Sequence, residues 1–196
     1  MGGFEGGDEG GFWDIDILPS LSHQQNGNKS KAKCYIEKSD SGYSIKAHAK
    51  VKTTDIDQAS AYICAEDLYD TISFVPCKCD TFTIEGCDGI PLESNTIYKA
   101  FHTLNDFTNE LDILDFFHLH KVVVTKRIPS SAGLGGGSSD AAAFLRLVKE
   151  VCNLILSNDE LAKIGSDIGP DVPFFIYNYP SDDYSRSNIS KTFFKT

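Results

Sequence analysis

The stretch KRIPSSAGLGGGSSDAAAFL, from Lys126 to Leu145, restricts the possible folds more than any other part of the chain. Gly133, Gly135, Gly136 and Gly137 all fall between Ala132 and Ser139. Glycine loses more backbone freedom on ordering than any other residue, so such a cluster is either a linker or a loop with a structural task. The flanks argue against a linker. HKVVVTKRI, residues 120–128, is short and β-branched, as a strand is. Beyond the glycines, Ala141, Phe144, Leu145, Val148, Val151, Cys152 and Ile155 recur along one face of a helix. A glycine turn between strand and helix directs N–H groups inward, admits oxygens that a Cβ would exclude, and adds the positive end of the helix dipole. This is chemistry for phosphate. The candidate residues are Gly133, Leu134, Gly135, Gly136, Gly137, Ser138 and Ser139, with a helix expected to begin near Ser139 and two hydroxyls within reach of a magnesium ion. No Gly-Lys-Ser/Thr ending makes this a Walker A loop, and Ser138 stands where a dinucleotide G-x-G-x-x-G would need its third glycine.

The remaining organisation follows from period and punctuation. GYSIKAHAKV and DTISFVP read as strands, as do AKCYIEK and DTFTIEG, with a turn at Ser39–Gly42. SNTIYKAFHTLNDFTNEL reads as a helix capped by Ser94 or Asn95. SNDELAKIG reads as a short helix capped by Ser157 or Asn158 and closed by Gly165, and DVPFFIY as a buried strand. The expected division is a disordered acidic, glycine-rich tail over 1–32, one α+β domain over 33–179, and a polar tail over 180–196. FWDIDIL, residues 12–18, interrupts the first tail as a candidate docking motif or terminal strand.

A net charge of −10 argues against a general nucleic-acid binder, which needs a basic surface. It leaves room for a nucleotide, because one nest of N–H groups holds phosphate on an acidic protein. No apolar run is long enough for a membrane helix and the N-terminus lacks an export signal, so the expectation is a cytoplasmic protein with reduced thiols. Cys77 and Cys79, with Cys87, form a weak candidate for metal thiolates, and His118 with His120 a second weak metal pair.

Pro129 followed by GLGGGSSDAAA, together with DIGPDVPFFI at 167–176, resembles two motifs of the GHMP kinases. The likeness runs from about Glu66 to Tyr179. Three consecutive glycines followed by Ser-Ser-Asp are similar to the branch that phosphorylates a cytidine-diphospho sugar alcohol in non-mevalonate isoprenoid synthesis. Other branches carry Gly-Leu-Gly-Ser-Ser-Ala. The resemblance implies an α+β fold of the ribosomal protein S5 domain 2-like type, the N-terminal GHMP half, with the C-terminal half expected to be missing after Tyr179. It implies ATP and Mg2+, a small-molecule acceptor, no nucleic acid and no membrane partner.

The resemblance makes Asp171 the catalytic base and Lys50, in HAKVK, its electrostatic partner, with Asn95 and Lys126 near the adenosine. Read locally, Asp171 is more readily a turn-capping carboxylate and Lys50 a solvated strand lysine, while Asn95 is equally an N-cap and Lys126 a surface cation. Three departures stand out. Lys52 occupies the place of the family's Asn, no Gly-Tyr-His follows the lysine, and Pro170 replaces the usual Ala beside the base. The alternatives are a non-catalytic ATP-binding remnant and a kinase of the homoserine or mevalonate type.

Overall fold

Alternating apolar residues build one sheet from five strands: β1 (Glu37–Ser39), β2 (Gly42–Lys52), β3 (Tyr62–Pro76), β4 (Ile84–Glu85) and β5 (His120–Thr125). Their spatial order is β1-β2-β3-β5-β4, antiparallel throughout except for the parallel β4–β5 pair. The computed structural model describes residues 36–52, 62–108, 111–129 and 132–177. The two expected tails and FWDIDIL lie outside these residues. Side chains repeat every second residue along a strand, and Ile45 and Ala47 on β2, Ile72 and Phe74 on β3, and Val122 and Val124 on β5 are all buried.

Among the described residues five α-helices complete the core: α1 (Thr96–Thr108), α2 (Leu111–His118), α3 (Gly136–Val151), α4 (Asn158–Ile168) and α5 (Val172–Tyr177). Helix α3 packs on β2 and β3, α1 and α5 pack against α3, and α4 packs against α1 and α5. Small residues meet at the centre. Ala47 and Ala49 on β2 and Ala141, Ala142 and Ala143 on α3 are fully buried, so helix and strand come close. Around them Phe74, Phe117, Phe144, Phe82 and Phe101 interlock, mostly edge to face, with Phe82 stacked on Phe101 at 3.9 Å. Edge-to-face pairs of this kind contribute about 0.5–1.5 kcal/mol each beyond their burial.

Several elements differ from the sequence reading. DVPFFIY is not a strand: Val172, Phe175 and Ile176 are buried at helical spacing on α5, and Pro173 sits in its first turn, where a missing N–H costs nothing. Periodicity alone does not distinguish so short an apolar run. Gly165 does not close α4. It is buried inside the helix, where a Cβ would stand 2.8 Å from Val172 Cγ1, so it permits the α4–α5 approach. The turn instead ends at Gly169. The cap at the other end is as expected: Ser157 accepts from the Glu160 N–H and the Glu160 side chain accepts from Ser157 N–H. Of AKCYIEK and DTFTIEG, only short pieces are strand among the described residues. Of the helix expected over 94–111, α1 is described to Thr108 and α2 begins at Leu111, with Ile113 and Phe117 in the core; residues 109 and 110 lie outside the described residues. His118 therefore ends a helix while His120 opens β5. The His118 ring nitrogen lies by the Cys79 carbonyl and the His120 ring stacks on Phe116 at 4.1 Å. No cluster of three metal-ligating side chains occurs among the described residues.

Candidate active site

Helix α3 begins at Gly136, three residues earlier than expected, and no side chain caps it. Gly135 is the N-cap, with φ +69°. Only the backbone closes the loop onto α3, so the first-turn N–H groups are not consumed by a capping side chain. Gly133 also has φ +69°. Both are left-handed positions that L side chains rarely adopt. A Cβ on Gly135 would stand 2.7 Å from Phe175 Cζ and 3.6 Å from Lys50 Cβ, whereas one on Gly133 would meet nothing within 4 Å. The first glycine is needed for conformation alone, and the second for conformation and space.

Three bonds fix the loop. The β2–β3 register shifts between His48 and Lys50. At that bulge the Lys50 N–H leaves the ladder and donates to the Leu134 carbonyl at 2.8 Å. Ser139 Oγ donates to the His48 carbonyl at 2.7 Å. Thr96 Oγ1 at the start of α1 donates to the Gly137 carbonyl at 2.6 Å. The loop thus bridges β2 and α1, and it lines a cleft of about 360 Å³, within the usual size of small-molecule sites, roughly 300–1,000 Å³. Gly133 to Ser138 line that cleft, with Asn95 and Lys126 on its walls. Ser139 does not: it is buried behind the loop with its hydroxyl turned into the sheet.

Lys50 Nζ and Asp171 Oδ2 meet at 2.6 Å, although 121 residues separate them in sequence. The lysine is largely covered and the carboxylate is 47% exposed. Asp171 immediately precedes α5, while Lys50 leaves β2 just past the bulge, so β2, which holds one side of the glycine loop, also brings Lys50 to this carboxylate. Lys52 is exposed two residues further along.

Asn95 is both N-cap and cleft wall. Its Oδ1 accepts from Ile97 N–H at 2.8 Å. Lys126 is not a surface cation. Its ammonium sits between Asp70 Oδ2 at 2.5 Å and Asp140 Oδ2 at 2.7 Å. Asp70 is fully buried on β3 and its other oxygen accepts the N–H groups of Arg127 and Ile128. Burial opposes the charge on Lys126, yet the two carboxylates outweigh it and its pKa is raised. Burial pushes the Asp140 carboxyl up to about 7, with Lys126 opposing and the Asp70 charge adding. Asp140 Oδ1 is buried without a hydrogen-bond partner among the described residues. The Cys87 thiol, also on the cleft wall, is raised by burial.

Sequence reasoning missed Asp70, Asp140 and Thr96. The available signal was weak: an acidic residue at the head of a β-branched run and another on the buried side of an alanine-rich helix, both unusual places for an unpaired carboxylate.

Fold and cleft define the class. Residues 95–179 match the family described as GHMP kinases N terminal domain. Among known proteins it is 55% identical to the 4-diphosphocytidyl-2-C-methyl-D-erythritol kinase of Sulfurovum sp. over 71% of this chain and 57% of that protein. The same-named kinase of Sulfurimonas denitrificans is 47% identical over 64% of this chain and 49% of its own length. A crystal structure of 4-(cytidine 5'-diphospho)-2C-methyl-D-erythritol kinase overlaps 69% of this chain and 47% of that one at 24% identity, with a TM-score of 0.46. The chain spans about half the length of the curated relatives it matches.

Proposed function

We propose that the protein transfers the γ-phosphoryl group of MgATP to the 2-hydroxyl of 4-diphosphocytidyl-2-C-methyl-D-erythritol, a step of non-mevalonate isoprenoid synthesis. The observation that carries this reading is the Lys50–Asp171 pair at 2.6 Å beside the glycine loop. The names of the relatives support the choice of acceptor. In this reading the N–H groups of the loop and of the first turn of α3 hold the phosphates, and α3 lends its dipole. Asn95 and Lys126 stand where the adenosine would lie. Asp171 accepts the hydroxyl proton as the oxygen attacks phosphorus, and Lys50 offsets the negative charge that develops. Magnesium would be supplied with ATP and held chiefly by phosphate and water, as this ion is in such sites. Ser138 lines the cleft and would offer a hard oxygen donor to it.

The test is phosphoryl transfer by the 196-residue chain beside Asp171→Asn. Removing the base is expected to lower turnover roughly 10²–10⁴-fold while ATP still raises the melting temperature. Equal turnover in both proteins would overturn the role of Asp171. Stabilisation by ATP without turnover in either would identify a nucleotide-binding protein in place of a kinase, and no ATP effect at all would remove the nucleotide reading.

A further inference from the structure

Cys77 and Cys79 lie away from the cleft and have no part in the chemistry above. They follow Pro76, the last residue of β3. Residues two apart in an extended chain face the same side, and here the segment is held in place at both cysteines. Cys77 N–H donates to the Leu119 carbonyl and Cys79 N–H to that of His118, each at 2.9 Å. The two sulfurs stand 2.6 Å apart. Cys79 is buried, Cys77 is half-buried, and Lys78 between them is exposed. One thiol is thus open to a reactant, with the second in contact behind it.

A shared metal is the usual alternative for C-x-C. The third cysteine expected nearby, Cys87, lines the cleft instead, and no group of three metal-ligating side chains occurs among the described residues.

We propose that Cys77 and Cys79 form a thiol–disulfide exchange site, which takes a small disulfide of the glutathione type and closes an internal Cys77–Cys79 bridge. The Cys77 thiolate attacks one sulfur of the small disulfide, forming a mixed disulfide and releasing one thiolate. The Cys79 thiolate then attacks Cys77 Sγ, closing the internal bond and releasing the second. The two protons given up by the cysteines end on the two released thiols, so two electrons leave the protein and reduce the small disulfide. The second step needs no search, because the fold already holds the attacking sulfur against its target. Disulfides of this kind inside cells are commonly transient and redox-sensing. The proposal is independent of the kinase reading.

The experiment uses the full chain, reduced, desalted, exposed to oxidised glutathione, then alkylated and analysed by intact mass and peptide mapping. The expected result is the loss of two alkylatable thiols, Cys77 and Cys79, with no retained glutathione and with full recovery by dithiothreitol. Cys79→Ser should stop at one glutathione adduct on Cys77. The proposal is overturned if the wild-type chain keeps glutathione on Cys77 without closing the bridge, if the other cysteines oxidise at the same rate, or if added zinc alone protects both thiols from alkylation. Should Cys79→Ser fail to fold, as judged by its melting transition, the wild-type mass and peptide map decide alone.

Discussion

Substituting Ala at Gly133 and at Gly135 separates the two reasons for glycine in the loop. Both positions have φ +69°, so both variants carry the left-handed penalty, about 1–2 kcal/mol. At Gly133 nothing more is lost, because the added methyl meets no atom within 4 Å. At Gly135 the methyl would stand 2.7 and 3.0 Å from two Phe175 ring atoms. Phe175 is buried, being 2% exposed, and its ring has little room to retreat. Overpacking of this kind adds roughly 1–3 kcal/mol, for a total of about 2–5 kcal/mol. With a urea m-value of about 1.5 kcal/mol per M, Gly133→Ala should lower the unfolding midpoint by roughly 0.7–1.3 M and Gly135→Ala by roughly 1.3–3.3 M. The assay is equilibrium urea unfolding followed by tryptophan-independent far-UV circular dichroism, with equal m-values required for the comparison. Equal midpoints for the two variants would refute the reasoning, because they would mean that Phe175 does not confine the loop. Phe175→Leu combined with Gly135→Ala should recover part of the loss, since the contact and the substitution are then coupled.

The raised Asp140 carboxyl makes stability depend on pH. The folded chain retains a proton between 3.8 and about 7 that the unfolded chain has released. This contribution is therefore complete below 3.8 and is lost as pH rises through 7, with a slope of up to about 1.4 kcal/mol per pH unit. His48, lowered by burial, acts in the opposite sense, losing stability as pH falls. The difference in urea midpoint between wild type and Asp140→Asn isolates the first effect, and a difference that does not change with pH would contradict the assigned shift. Ser157→Ala removes one half of the capping box on α4 and should cost about 1 kcal/mol in the same assay. No loss there would mean that α4 is held by its packing on α1 and α5 alone.

The glycine loop was legible because its signal is local. A β-branched strand, four glycines and an amphipathic helix within one short stretch leave few alternatives, and the structure has the loop between β5 and α3 as that pattern required. The Ser157 cap and the apolar face of α3 from Ala141 to Val148 were legible for the same reason: capping and helical period are properties of neighbouring residues. Ile155, expected on that face, lies beyond the end of α3 at Val151 and is fully exposed. DVPFFIY failed because an apolar run of that length satisfies strand and helix alike, and only the packing of Val172 against Gly165 decides between them. The start of α3 failed because Gly136 and Gly137 have poor intrinsic helix propensity, which packing against Ile128 and Thr96 overrides.

For the site itself, the division follows sequence separation. The sequence alone determined that a glycine-rich loop joins a strand to a helix and which backbone forms it. The family resemblance led to the expectation that Lys50 partners Asp171, and the structure brings them together across 121 residues. Only the tertiary structure decided that Lys126 is clamped by Asp70 and Asp140 and that Ser139 faces the sheet. A charged side chain reads the same in sequence whether solvated or paired. Its state is set by the elements that the sheet order and the β2 bulge bring beside it.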